Sequence, residues 1–73
     1  MMTEQDFLSE MQDLMDTEMK LTMDTQLKDI EEWDSLSHVS FIAFSVTHGN
    51  HRVTPQEIKA AQVVRDLYDL VRQ

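Results

Sequence analysis

Asp34-Ser35-Leu36 is the stretch of this chain whose residue types and spacing offer chemistry. Asp34 is a good N-cap, so Ser35 falls in the first turn of the helix that follows and presents its hydroxyl outward. A phosphodiester formed there sits near unpaired N–H groups and the positive end of the helix dipole. The position therefore suits attachment of a phosphorylated group. The plainer reading is that Asp34 only caps a helix and Ser35 is an ordinary first-turn residue. Such a tripeptide arises by chance in roughly a few per cent of chains this short. No His or Lys is placed by sequence to act as a base for Ser35, so no catalytic residue is expected and the chain is not read as an enzyme. His48 and His51 stand three apart but have no acidic or Cys ligand close by, and no metal site is expected. His38 is expected to be solvated on a helix surface.

The elements that position Ser35 follow from helical periodicity. Thr3 followed by Asp6 has the form of a capping box with Asp in place of Glu. Phe7, Leu8, Met11, Leu14 and Met15 then share a face, which predicts a first helix over roughly residues 3–18. Met11, Met15, Met19 and Met23 recur every four residues, as ordinary core or as an adaptable apolar pocket. Across 19–33, Thr22, Asp24, Thr25 and Asp29 compete for backbone hydrogen bonds. Leu21, Leu27, Ile30 and Trp33 recur irregularly there, as in a long loop pinned to a core at several points. Leu36, Val39, Ile42, Ala43 and Val46 predict a second helix over about 35–48, with Gly49-Asn50 as its stop. Thr54-Pro55 starts a short third helix with Ile58 and Ala61 inward. Val64, Leu67, Tyr68 and Val71 mark a fourth. The fold class is all-α: a four-helix bundle with a long first loop.

Composition bounds what such a bundle can be. The chain has 73 residues, no Cys and a net charge of -8. That gives room for one domain over 1–73 and one small core held by helix packing alone. The charge opposes binding to nucleic-acid phosphate or anionic lipid. Residues 1–34 hold 11 acidic and 2 basic side chains, net -9, while residues 35–73 hold 3 acidic and 4 basic, net +1. The skew fits either a solvated acidic face or a surface for docking a partner. The longest apolar run is Phe41 to Phe44, and Met1 to Asp6 contain neither a cationic nor an apolar segment. Neither a membrane span nor a signal peptide of the usual kind is expected. The absence of Cys suits a reducing compartment, hence a cytoplasmic location.

The run Leu21-Thr22-Met23-Asp24-Thr25-Gln26-Leu27-Lys28-Asp29-Ile30-Glu31-Glu32-Trp33-Asp34-Ser35-Leu36-Ser37-His38-Val39 closely resembles the loop and attachment site of acyl carrier proteins. Val53 is similar to the apolar residue before that family's third helix, and Val64-Arg65-Asp66-Leu67-Tyr68-Asp69-Leu70-Val71 to its fourth. The likeness covers nearly the whole chain. It implies a bundle of the acyl-carrier type and 4′-phosphopantetheine, taken from coenzyme A, attached to Ser35. The arm's thiol then carries an acyl group as a thioester, which gives a Cys-free chain its thioester chemistry. By the same resemblance Asp34 helps a phosphopantetheinyl transferase and its magnesium ion engage. Val39 and Ala43 face partner enzymes, with Leu36 near the arm. The implied partners are that transferase, an acyl-loading ligase and downstream acyl-processing or acyl-transfer enzymes, meeting a monomeric carrier.

Two features depart from the fatty-acid-synthesis members. The second helix has no Asp or Glu after Asp34, and Ser37, Ser40, Val46 and Thr47 stand where those carriers are typically acidic. Together with Trp33, which is similar to dedicated carriers of secondary pathways, this points away from housekeeping service. Val63 replaces the usual Ser/Thr before the fourth helix, so Val63→Thr or Val63→Ser is expected to stabilise the fold by on the order of 1 kcal/mol. Two alternatives accompany the acyl-carrier reading. One is an aminoacyl, peptidyl or D-alanyl carrier. The other is a non-catalytic acidic helical module that binds a protein partner without a prosthetic group.

Overall fold

Thr3 starts the first helix, its Oγ1 accepting from the Asp6 amide at 3.1 Å. In the computed structural model, which describes residues 2–49 and 52–72, this helix, α1, spans Glu4–Met15. It is shorter than its apolar pattern suggests. Asp16 adopts the left-handed conformation, φ 52°, ψ 45°, and the Thr17 amide turns back onto the Gln12 carbonyl at 3.3 Å. Asp is one of the few non-glycine residues that tolerate this geometry. The methionine period therefore runs past the helix it marks. Met11 and Met15 lie in the core, Met23 reaches it from the following loop, and Met19 is exposed.

The segment from Asp16 to Asp34 contains one 3₁₀ turn, Leu27–Asp29. Leu21, Met23, Leu27 and Ile30 are buried, so the loop is pinned at the expected intervals. It is also tied by its backbone to the far end of the chain. The Leu27 amide donates to the Gln62 carbonyl at 2.9 Å, and Gln26 and Val63 form an isolated antiparallel bridge. Strand-like pairing over one residue pair suffices here because the loop's carbonyls also cap a helix.

That helix is α4, Val64–Arg72. Its first two amides donate to loop carbonyls, Val64 to Thr25 at 3.0 Å and Arg65 to Met23 at 2.9 Å. The Asp66 carboxylate accepts from the amides of Gln62 and Val63 at 2.9 and 3.2 Å. The N-terminal amides of α4 thus find acceptors without a Ser or Thr at position 63. The half-buried Val63 occupies the bridge instead.

The second helix, α2, spans Ser35–His48, and α3 spans Pro55–Ala60. Thr54 and Glu57 form the full reciprocal capping box of α3, with Pro55 at its first turn. The expected stop of α2 is described at Gly49; Asn50 lies outside the described residues. A Cβ on Gly49 would stand 2.7 Å from the Ser45 carbonyl oxygen and 3.2 Å from that of Val71, so glycine allows the end of α2 to approach α4.

The four helices enclose one core. Phe7 sits fully buried at its centre, with ring centroids 6.4, 6.1 and 5.1 Å from Phe41, Phe44 and Tyr68. Val53, Ile58, Val64, Leu67 and Val71 close it from the second half of the chain. Among the described residues no helix is long and apolar enough to cross a membrane. The expected all-α four-helix bundle with a long first loop is the architecture observed.

Candidate functional site

The start of α2 is set by three interactions. Asp34 is extended and its Oδ1 accepts from the Ser37 amide at 3.2 Å, while its carbonyl accepts from the His38 amide at 2.9 Å. The Ser37 hydroxyl donates back to the Glu32 carbonyl, which also takes the Asp34 amide at 3.0 Å. The helix start and the last loop residues are thus fastened together. Ser35 stands at the first helical position and is exposed, and among the described residues no hydrogen bond engages its hydroxyl. The amides of Ser35 and Leu36 precede the first intrahelical bond and point to an outside acceptor. Those two groups and the helix dipole oppose the charge of Asp34, whose Oδ1 is already bonded to the Ser37 amide.

This arrangement offers an accessible oxygen, and among the described residues no hydrogen bond joins it to a base. The nearest imidazole in sequence, His38, lies one turn along α2 with its ring 4.6 Å from that of Trp33 at 54°. It is half-buried, and its Nε2 is buried without a hydrogen-bond partner. The expectation of a solvated His38 is corrected: Trp33, at the end of the loop, covers it while also meeting Phe41 edge-on at 5.9 Å. His48 stacks on Phe44 at 4.6 Å, and the His48–His51 pair is not described because His51 lies outside the described residues. Among the described residues no group of three or more His, Asp or Glu side chains is arranged to hold a metal ion.

The sequence-expected partner residues separate cleanly from the core. Phe41 and Phe44 face inward with Ser37 and Ser45, and Ile42 is half-buried. Leu36, Val39, Ala43 and Val46 face outward, the first two 79% and 66% exposed. At 100° per residue these four fall within about 80° of arc, one stripe that starts beside Ser35. Sequence reasoning missed Ser45. It is fully buried, donates to the Ile42 carbonyl at 2.6 Å and accepts from the Val53 amide at 3.1 Å. The available signal was a lone hydroxyl one residue beyond the run Phe41 to Phe44.

Two open clefts flank the start of α2. The nearer, about 260 Å³, lies between the end of α1 and α2 and includes Leu14, Met15, Asp34, Leu36 and Ser40 in its walls. It shares Asp16 and Glu32 with a second of about 580 Å³, whose other walls include Glu18, Met19, Asp29 and Glu31. No Lys or Arg lines either one. The charge skew of the sequence thus becomes a local concentration of carboxylates at the corner where α1, the loop and α2 meet. Comparison with protein-family models, curated proteins and solved structures returns no match.

Proposed function

We propose that this chain is an acyl carrier protein, a dedicated member of its family, which holds an acyl group as a thioester on 4′-phosphopantetheine attached to Ser35. The observation that carries the reading is the unengaged Ser35 hydroxyl at the first position of α2, between a helix-capping Asp34 and an exposed Leu36. The residues present fit the group. Ser35 Oγ would form the ester bond to phosphorus, adenosine 3′,5′-bisphosphate would leave coenzyme A, and the serine proton would pass to a base of the transferase. The base is assigned to the transferase because His38 is packed against Trp33 and no described hydrogen bond joins it to Ser35. The free amides at the helix start favour the negative phosphodiester, and Asp34 keeps its first turn in register.

When bound, the group supplies a thiol on a flexible arm, chemistry that a chain without Cys cannot provide itself. Leu36, Val39 and Ala43 form the stripe that enzymes serving the arm would meet, and α2 has no carboxylate after Asp34 to attract a uniformly basic partner. The carrier acts as a cytoplasmic monomer in this reading. The exposed stripe also favours a second reading, an acidic interaction module without a prosthetic group.

Intact-mass analysis after incubation with phosphopantetheinyl transferase and coenzyme A tests the proposal. Wild type is expected to gain one phosphopantetheine and Ser35→Ala none. An unmodified wild type across several transferases, or modification surviving in Ser35→Ala, would overturn it. The group found on the arm in the native host distinguishes acyl from aminoacyl cargo.

A further inference from the structure

Ser37 follows the exposed Ser35 and Leu36 but turns the other way and is buried. A serine inside a helix usually returns its hydroxyl to a carbonyl of the preceding turn. Two other hydroxyls of α2 do so: Ser45 donates to the Ile42 carbonyl at 2.6 Å, and Thr47 to that of Ala43 at 3.2 Å. The Ser37 hydroxyl instead reaches five residues back, out of the helix, to the Glu32 carbonyl. That part of the loop is itself anchored. Ile30 is buried in the core, and the Trp33 amide donates to its carbonyl at 3.1 Å. The Glu32 carbonyl also takes the Asp34 amide at 3.0 Å, so both of its lone-pair directions are used. Asp34 Oδ1 in turn accepts from the Ser37 amide at 3.2 Å. Ser37 is thus bonded to the cap through its amide and to the loop through its side chain. Ser35 lies between these two fastened positions.

We infer that Ser37 is a positioning residue for attachment at Ser35: its buried hydroxyl locks the first turn of α2 to the end of the loop and so fixes where the Ser35 oxygen stands before an enzyme reaches it. This inference rests on the carrier reading. The tie requires a hydroxyl, because an ionised Asp or Glu at position 37 has no hydrogen to give the Glu32 carbonyl. Its effect is on alignment. A misplacement of the attacking oxygen by about 1 Å can slow a transfer on the order of a hundredfold. Released from the loop, the first turn frays, and Ser35 Oγ is correctly placed for a smaller fraction of the time. The outer stripe of α2, on the face away from Ser37, is left as it was. Loss of the tie therefore acts on the turnover of the docked complex and spares its formation.

The test is steady-state transfer of phosphopantetheine from coenzyme A to the full chain by one phosphopantetheinyl transferase, followed by intact mass. Ser37→Ala is expected to lower kcat about five- to tenfold and to leave KM for the carrier within about twofold. Ser37→Thr keeps a hydroxyl and is expected to recover most of the rate. Ser37→Cys fills the same space with a weak donor and is expected to fall between, which keeps the comparison available if the alanine variant does not fold. Ser45→Ala is the control for stability alone. It removes another buried hydroxyl, bonded to the Ile42 carbonyl and the Val53 amide, and is expected to change neither constant. Amide spectra of the ¹⁵N-labelled variants report whether each is folded. Hydrogen exchange is expected to quicken at the Asp34, Ser37 and His38 amides in Ser37→Ala and not in Ser45→Ala. An unchanged kcat in folded Ser37→Ala, a raised KM with kcat intact, or an equal fall in Ser45→Ala would each overturn the inference and leave the carrier reading standing. A wild type that no transferase modifies would overturn both.

Discussion

His38 and Gly49 show at the residue scale how little of a side chain's surroundings its type announces. A buried polar atom without a partner forfeits its hydrogen bonds to water, at a cost of about 1–3 kcal/mol. The His38 Nε2 is in that position while its ring rests on Trp33. His38→Phe keeps an aromatic ring against Trp33 and removes the orphaned atom, so it is expected to raise stability by about 1 kcal/mol in urea denaturation. A loss of stability would mean that a bound water or a shift of the ring satisfies Nε2 in solution. Gly49→Ala should act the other way. Its Cβ would meet two backbone carbonyl oxygens, at 2.7 and 3.2 Å, that can move only with α2 or α4. A loss of about 1–3 kcal/mol is expected in the same measurement, and a neutral result would show that the two helix ends separate easily. Asp34 and Ser35 were legible from sequence because capping is local chemistry, readable from adjacent residue types. The placement of His38 was not, because it depends on where the loop returns Trp33.

The beginning of α4 carries the same lesson at the scale of the element. A sequence without Ser or Thr before a helix suggests a missing cap, hence the expected gain from Val63→Thr. In the fold the amides of Val64 and Arg65 donate to loop carbonyls, and the Asp66 amide donates to the Val63 carbonyl at 3.0 Å. A new hydroxyl at position 63 finds no orphaned donor, so Val63→Thr is now expected to change stability by no more than about 0.5 kcal/mol. Asp66 is the local residue that holds the junction, and Asp66→Ala strips acceptors from two amides at 2.9 and 3.2 Å. Its expected cost is about 1–2 kcal/mol. Thermal or chemical denaturation of both variants checks the order, and a stabilised Val63→Thr would show that the loop carbonyls release α4 in solution. The boundaries of α2 and the start of α3 were readable because Asp34, Gly49, Thr54 and Pro55 punctuate them; the end of α3 was not, and Ala61, expected within it, is its extended cap. The end of α1 was not, because Asp16 supplies a left-handed turn without glycine and the apolar period continues past it. The periodicity that revealed α2, Leu36, Val39, Ile42, Ala43 and Val46, marks mainly its outer stripe, with only Ile42 half-buried, whereas Phe41 and Phe44 anchor the helix from the other face.

At the scale of the whole molecule, the all-α class follows from the number and period of the apolar residues, but the position of the charge does not. A net charge of -9 over residues 1–34 is a statement about composition. Folding turns it into a corner, because the αL turn at Asp16 brings the residues after α1 against the end of the loop. Like charges so gathered repel one another, by up to a few tenths of a kcal/mol for each exposed pair. This repulsion opposes folding, whereas the unfolded chain lets the carboxylates separate. Salt screens it. The melting temperature of wild type should therefore rise with added sodium chloride. Asp16→Asn with Glu31→Gln and Glu32→Gln should raise it at low salt by roughly 2–4 °C, in proportion to a gain of about half a kcal/mol in a domain of this size. The salt increment should shrink in the variant, because much of what salt screens has been removed. Melting each protein at low and high ionic strength separates this local effect from a general action of salt on apolar burial, which would stabilise both proteins equally. Equal salt increments would locate the repulsion elsewhere in the chain. A smaller increment in the variant would show that the corner lowers the stability of the free protein.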